Sequence, residues 1–223
     1  MSAEHKRMLP VIILDFDGVI LESVSVKTEA FRTLFSDVPE HVEEIVQFHR
    51  DNGGMSRFDK FRFIYKNILH EELTEKKFME LSDQFAAIVF LAVIHADYVP
   101  GAREFLEHYH TRTPLYVVSA TPEHELRQIV EARGMSRCFR DVFGAPRKKA
   151  ECIGEIVRRN GAHPQSVIFV GDAKNDYEAA REAGVRFIGR VKPGDGNRFE
   201  GLPGIDTIIP DLYGLTQFME VSP

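Results

Sequence analysis

Cysteine is scarce in this sequence, which holds only Cys138 and Cys152 among its 223 residues. Two cysteines cannot build the disulfide framework of a small secreted protein, and this pair lacks the spacing of a metal site. Long apolar runs are also missing, because the longest, from Phe85 to Ile94, is shorter than the roughly 18 residues that a membrane helix needs. No apolar signal segment precedes Leu9. We therefore expect a cytoplasmic protein that does not bind membranes.

Positive charge is in deficit as well, with 28 Lys and Arg against 34 Asp and Glu and a formal net charge of −6. The chain has no clustered basic stripe of the kind that sequence-independent nucleic-acid binding requires, so no nucleic-acid partner is expected. Hydrophobic residues make up 43% of the sequence, which excludes a disordered chain and predicts a packed core. Small solutes are the expected partners, and both a monomer and a homodimer remain open.

Short apolar runs rich in β-branched side chains predict buried parallel strands. These runs cover residues 11–14, 115–118, 167–170, 186–188 and 207–209. Helical patterns separate the later runs, at residues 123–132, 149–159 and 176–183. Alternating strands and helices predict an α/β fold with a doubly wound, Rossmann-like parallel sheet.

The segment between the first two predicted strands departs from this alternation. Its apolar residues recur every three to four positions, which is typical of amphipathic helices, and it contains no convincing strand. We therefore predict a helical cap domain of residues 19–99, inserted into an α/β core domain of residues 1–18 and 100–223. Ligands of open α/β sheets bind at the carboxyl ends of the strands, where this insertion begins.

Two pairs of acidic residues follow predicted strands: Asp15 with Asp17, and Asp172 with Asp176. One carboxylate of such a pair can attack phosphorus while the other exchanges a proton with the leaving oxygen. Four carboxylates at one sheet edge repel each other unless a hard cation lies among them, and oxygen-only ligands favour Mg²⁺. The alternatives are a plain turn around the first pair and helix capping by a member of the second.

The second predicted strand leads into Ser119-Ala120-Thr121, just before a proline that opens a helix. The hydroxyl of Ser119 and the free backbone N–H groups of this segment predict a phosphate-binding site. Serine is also an ordinary residue at the entry of a helix, so Ser119 taken by itself is more typical of a cap than of a ligand.

A cation is needed to balance the charge of the reacting phosphoryl group, and three adjacent residues, Arg147, Lys148 and Lys149, are candidates. Lys149 lies on the same helical face as the buried Ile153, whereas Lys148 is rotated toward solvent. We therefore select Lys149, although a lysine at such a position is by itself more typical of a solvated surface.

Together these residues resemble the four motifs of the haloacid dehalogenase-like superfamily. They are Asp15-Phe16-Asp17-Gly18, Ser119, Lys149 and Gly171-Asp172 with Asp176. Because the predicted cap lies between the first and second motifs, the chain is similar to the branch that contains phosphoglycolate phosphatases and β-phosphoglucomutases.

The resemblance implies a role for each motif residue. Asp15 becomes the nucleophile, Asp17 the general acid and base, and Lys149 the stabilising cation, while Ser119 and Ala120 bind the phosphate. It also implies a Mg²⁺ ion held by Asp15, the carbonyl oxygen of Asp17, and Asp172. Asp176 is implied either as a ligand of that ion or as a neighbour of its ligands.

The expected activity is Mg²⁺-dependent hydrolysis of a small phosphorylated metabolite, a phosphosugar or a phospho-acid, through an aspartyl-phosphate. Haloacid dehalogenases lack the second acid of the first motif, so Asp17 favours phosphoryl transfer over carbon–halogen cleavage. The alternatives are a phosphosugar mutase and a non-catalytic protein that binds a phosphorylated ligand. A binding protein has no need for Asp17 beside Asp15, which argues against the second alternative.

Within the predicted cap, the segment 50–60 is the candidate for substrate selection. Gly53 and Gly54 break a helix and let the backbone approach a ligand. Arg57 and Lys60 lie three residues apart on the following helix, where both side chains can meet an anion. The alternative is an ordinary turn between helices, with a serine at position 56 as the N-cap.

Overall fold

A computed structural model describes residues 9–221 of the chain. The strands form one parallel sheet in the order β3-β2-β1-β4-β5-β6. They are β1 (Val11–Leu14), β2 (Leu115–Pro122), β3 (Asp141–Ala145), β4 (Val167–Gly171), β5 (Arg186–Arg190) and β6 (Thr207–Ile209). The predicted fold class, a doubly wound α/β sheet, is therefore confirmed.

Helices pack around this sheet and also fill the segment after β1. They are α1 (Val24–Leu34), α2 (Val42–Asp51), α3 (Arg57–Phe63), α4 (Glu75–Ile94), α5 (Ala102–Tyr109), α6 (Glu123–Ala132), α7 (Lys149–Arg159), α8 (Lys174–Ala183) and α9 (Leu212–Val221). We call α1 to α4 the helical insertion, because they lie between β1 and α5. Within residues 9–221, no helix combines the length and the apolar character needed to cross a membrane.

The strands predicted from the sequence do not include β3. A glycine and a proline near its end are typical of turns, but the strand pairs with β2 at the edge of the sheet. A Cβ at Gly144 would lie 2.4 Å from the carbonyl oxygen of Thr121, so close approach of the two strands requires the glycine. β2 also runs four residues further than predicted, to Pro122.

The apolar core consists of two clusters, one on each face of the sheet. Alternate strand residues point to opposite faces, so Ile12 and Leu14 of β1 join one cluster while Ile13 joins the other. The first cluster continues into the helical insertion, where it includes Phe31 and Phe85. One continuous apolar cluster therefore joins the insertion to the strands and helices on that side of the sheet.

The two chain segments that lead into and out of the insertion are paired with each other. The N–H of Glu22 donates to the carbonyl of Asp97 at 2.9 Å, and the N–H of Val99 donates to the carbonyl of Ile20 at 3.0 Å. These bonds hold both ends of the insertion beside the carboxyl end of β1. We call this paired crossing the junction.

Candidate active site

Three predicted acids and one predicted cation meet at the carboxyl ends of β1 and β4. Asp15 follows β1, while Asp172 and Asp176 follow β4, and carboxylate oxygens of the three lie within 4.8 Å of one another. The Nζ atom of Lys149, the first residue of α7, lies 3.1 Å from Oδ1 of Asp15 and 2.5 Å from Oδ1 of Asp176. Lys148 is exposed, as the helical phase predicts. We call these four residues the phosphoryl end of the site.

Glycines make room for this cluster. A Cβ at Gly18 would lie 2.4 Å from Oδ2 of Asp172, and the residue has a φ of 75°, which favours glycine. A Cβ at Gly171 would lie 2.3 Å from Cβ of Asp176, so this position also requires a glycine. A side chain at either glycine would therefore displace Asp172 or Asp176 from the cluster.

The electrostatics of the cluster show too many negative charges for the cations present. Burial raises the pKa of Asp15 well above its ordinary range, and the attraction of Lys149 does not compensate. Burial and the charge of Asp176 raise the pKa of Asp172 to about 7. Burial alone would lower the pKa of Lys149, but Asp15 and Asp176 raise it instead. The cluster therefore lacks positive charge, which is the condition that a divalent cation relieves.

Asp176 both caps a helix and belongs to the acidic cluster, the two roles that the sequence analysis offered as alternatives. Its Oδ2 accepts a hydrogen bond from the N–H of Ala173, which caps the first turn of α8, and its Oδ1 accepts one from Lys149. The side chain is fully buried. Capping and membership of the acidic cluster are thus compatible in one residue.

Ser119 and Ala120 lie in the last part of β2 and line the same cavity as Asp15. The N–H of Thr121 donates to Oγ of Ser119 at 3.2 Å, so the serine also stabilises the local turn of the backbone. Ser119 is buried, and its hydroxyl proton is left to donate to a ligand in the cavity.

Asp17 is surrounded by three side chains, two of which the sequence analysis did not identify. Oγ of Ser23 donates to its Oδ1 at 2.6 Å, and Nζ of Lys27 donates to its Oδ2 at 2.5 Å. Thr121, at the end of β2, donates to the same Oδ2 at 3.0 Å. Burial alone would raise the pKa of Asp17, but Lys27 and these hydrogen bonds lower it. The four-residue spacing of Ser23 and Lys27, which places them on one helix face, is the only sequence signal for this arrangement.

The sequence analysis expects the glycine pair of the segment 50–60 to let the backbone approach a ligand, but Gly54 approaches other residues of the protein. A Cβ at Gly54 would lie 2.8 Å from Cβ of Asn175 and 3.3 Å from Cβ of Ala173, so the glycine lets this turn pack against the start of α8. Gly53 lines the cavity. Ser56 accepts a hydrogen bond from the N–H of Asp59 and is the N-cap of α3, as the alternative reading predicts.

Arg57 and Lys60 both line the cavity, and both have protein partners. Arg57 forms a two-pronged ion pair with Glu125 of α6, in which Nη1 donates to Oε2 at 2.8 Å and Nη2 donates to Oε1. Nζ of Lys60 lies 3.0 Å from Nδ1 of His49. The sequence analysis identified neither His49 nor Glu125 as a partner, and Glu125 lies 68 positions from Arg57. That Arg57, Lys60, and the glycine pair select the substrate stays a prediction.

Much of the remaining wall of the cavity is apolar, although Arg50 and Arg198 also line the cavity. The apolar part is formed by side chains of α1, α4 and α6, namely Phe31, Phe85, Val89, Val93 and Ile129. The cavity therefore has two ends, with the charged phosphoryl end at the strand termini and an end between the helices that we call the leaving-group end.

Comparison with known proteins assigns the chain to a family. The family model described as haloacid dehalogenase-like hydrolase matches residues 9–184. Phosphoglycolate phosphatase of Vibrio parahaemolyticus is 28% identical over 81% of this chain and 83% of its own, and phosphoglycolate phosphatase 1 of Pseudomonas aeruginosa is 25% identical over 81% and 68%.

Solved structures share the fold. A hydrolase from Pseudomonas syringae has a TM-score of 0.77 at 19% identity and covers 96% of this chain and 100% of its own. CbbY from Rhodobacter sphaeroides, solved with phosphate, has a TM-score of 0.72 at 18% identity, with 93% and 96% covered. The chain therefore belongs to the haloacid dehalogenase-like hydrolases, in the branch of these phosphatases, which confirms the predicted family and the predicted enzyme class, a phosphoric monoester hydrolase.

Proposed function

We propose that this chain is a Mg²⁺-dependent phosphatase that hydrolyses a small phosphorylated metabolite through an aspartyl-phosphate on Asp15. The observation that carries the proposal is the cluster of Asp15, Asp172 and Asp176, with Asp15 and Asp176 buried and Lys149 as the paired cation. One ammonium group does not balance three carboxylates, of which two are buried, so a divalent cation fits the site. The donor set is oxygen only, which favours Mg²⁺ over Zn²⁺ or copper.

Asp15, Asp172 and the carbonyl oxygen of Asp17 are the proposed ligands of the ion. Asp176 already accepts hydrogen bonds from Lys149 and from the N–H of Ala173, so we assign it mainly to orienting Lys149. Bound Mg²⁺ supplies positive charge that offsets the repulsion between the carboxylates and an incoming phosphoryl group.

The chain's own residues then divide the reaction into two steps. In the first, a carboxylate oxygen of Asp15 forms a bond to phosphorus while the ester bond breaks, and Asp17 gives a proton to the leaving oxygen. In the second, Asp17 removes a proton from water, whose oxygen attacks phosphorus and releases phosphate from Asp15. Lys149 stabilises the developing charge, and Ser119 with the backbone N–H of Ala120 holds the phosphoryl oxygens.

We also propose that residues 19–99 act as a cap domain over a core of residues 1–18 and 100–223, of which residues 1–8 and 222–223 lie outside the described part of the chain. A phosphosugar or phospho-acid substrate, a cytoplasmic location and a monomeric or dimeric state stay predictions of the sequence.

The test is phosphate release from a panel of phosphorylated sugars, acids and simple esters, with and without Mg²⁺, combined with acid quenching and mass spectrometry of the enzyme. We expect Mg²⁺-dependent release of phosphate and a phosphoryl group on Asp15. Transfer of phosphate to sugar without net release would indicate the mutase instead. Binding of phosphorylated compounds without turnover would indicate the non-catalytic alternative.

A further inference from the structure

The leaving-group end of the cavity contains an arginine whose charge is already neutralised. The side chains of Arg57 and Glu125 are only 7% and 10% exposed. Their two-pronged contact satisfies the geometry that arginine and carboxylate prefer. Separating such a buried pair leaves an uncompensated charge in a low-dielectric site, which is strongly unfavourable. A substrate anion therefore competes poorly with Glu125 for this guanidinium.

The second cation of this end is also held within the protein. Nζ of Lys60 contacts Nδ1 of His49 at 3.0 Å and donates to the carbonyl oxygen of the same residue at 3.3 Å. Burial lowers the pKa of Lys60 to about 7, with a smaller effect from the charge of Lys27. Neither of the two cations is thus a full and unpaired positive charge.

The rest of this end suits an uncharged group. Phe31, Phe85, Val89 and Ile129 line it, and removal of apolar substrate surface from water favours binding to such a wall. Nε of Arg57 is buried and has no hydrogen-bond partner among residues 9–221. This N–H has no exposed surface, so it does not make the guanidinium accessible to an anion.

From these observations we propose that the preferred substrates are phosphomonoesters of neutral alcohols with an apolar body, and that Glu125 sets this preference by masking the charge of Arg57. The inference rests on the proposed phosphatase function. It disfavours the phospho-acid class that the sequence predicts, because a carboxylate beside Arg57 would meet Glu125 and no unpaired cation. Arg50 also lines the cavity, but its side chain is exposed, so water screens its charge.

Glu125→Gln tests the masking directly. The amide keeps the size of the side chain and one acceptor oxygen, but it removes the negative charge and so leaves the positive charge of Arg57 unbalanced. Ethyl phosphate and phosphoglycolate form a matched pair of substrates, because one has a methyl group where the other has a carboxylate. Benzyl phosphate adds an apolar body.

For the wild-type enzyme with Mg²⁺ we expect kcat/KM to fall from benzyl phosphate to ethyl phosphate to phosphoglycolate, by about tenfold at each step. In Glu125→Gln the ratio of kcat/KM for phosphoglycolate to that for ethyl phosphate should rise about tenfold or more. Glu131→Gln, an exposed change on the same helix, is the matched control and should leave the ratio unchanged.

A wild-type preference for phosphoglycolate over ethyl phosphate overturns the inference, and so does an unchanged ratio in a folded Glu125→Gln enzyme. If that variant does not fold, as judged by circular dichroism, the ranking of the three esters by the wild type decides the matter. Phosphate release from none of the esters at any Mg²⁺ concentration would instead overturn the proposed function itself.

Discussion

The two ends of the cavity differ in whether their charges are balanced within the protein. At the phosphoryl end, Asp15, Asp172 and Asp176 outnumber Lys149, so the protein leaves negative charge for a ligand to balance. At the leaving-group end, the positive charge of Arg57 is neutralised by its ion pair with Glu125. The difference teaches that a residue's type does not reveal its availability: a charge serves a ligand only when its neighbours leave it uncompensated.

The largest loss of activity is expected from a substitution at the phosphoryl end, and its absence would contradict the comparison of the two ends. Asp15→Asn removes the attacking charge with little change of shape, so kcat should fall by at least about a thousandfold. Phosphate release measures the activity, and thermal unfolding shows whether the fold is retained. Asp37→Asn, an exposed change, is the control and should have no effect on either measurement. Activity above a few per cent of the wild type, with deamidation excluded, would falsify the nucleophilic role.

Two adjacent lysines test whether the cation of the phosphoryl end is specific. Lys149→Met should lower kcat by about a hundredfold or more, because the developing charge loses its cation. It should also lower the free energy of unfolding of the metal-free protein by about 3–5 kcal/mol, because buried carboxylates are left unpaired. Lys148→Met should change neither quantity, since that side chain is exposed. Similar losses in both variants would contradict the assignment.

A smaller effect is expected at Lys27, which lies between the two ends and holds Asp17. Lys27→Met should reduce kcat for ethyl phosphate by about tenfold and that for acetyl phosphate by less than about threefold. The reason is that acetyl phosphate has a better leaving group and depends less on a well-placed proton donor. Lys27→Arg should restore part of the loss, and Lys66→Met, at an exposed position, serves as the control. Equal losses on both substrates would show that Lys27 acts on the fold or on phosphate binding.

A further effect, on stability and not on turnover, is expected at the leaving-group end. Burial lowers the pKa of Lys60 to about 7 in the folded protein, below its value in the unfolded chain. Below about pH 7 the folded protein carries a buried charge at this position, and as pH rises from 7 toward 10 the folded state loses that proton before the unfolded state does. The free energy of unfolding of the wild type should therefore rise over this range relative to Lys60→Met, by about 1–3 kcal/mol. Parallel curves for the two proteins in chemical denaturation would contradict the burial effect.

The sequence predicted the phosphoryl end well because its information is local. Asp15 and Asp172 each follow a buried apolar run, and parallel strands bring such positions to one edge of the sheet. Helical phase selected Lys149 over Lys148, and the motifs around it gave the reason to seek a cation there. The missed strand β3 shows the limit of this reasoning, since Gly144 is typical of a turn and is explained only by its contact with the neighbouring strand.

The sequence predicted less about the leaving-group end, because the chemistry of this end depends on partners that are distant in the sequence. Arg57 and Lys60 were identified as candidates, but their charges are set by Glu125 and His49, which belong to other helices. No periodicity in one segment predicts which side chain of another helix will face it. The same holds for Lys27, whose contact with Asp17 joins α1 to the end of β1.

The junction has a consequence for protein engineering. Glu22 and Asp97 are hydrogen-bonded through their backbones, so the exit and the return of the insertion lie side by side. Because these bonds involve only main-chain atoms, they do not depend on which side chains follow. Residues 23–96 can therefore be replaced between aligned splice points, provided that the incoming segment supplies partners for Glu125 and Asp17, as Arg57 and Lys27 do here. Chimeras made at this crossing would transfer the whole leaving-group side of α1 to α4 while the carboxylates and Lys149 stay in their own scaffold.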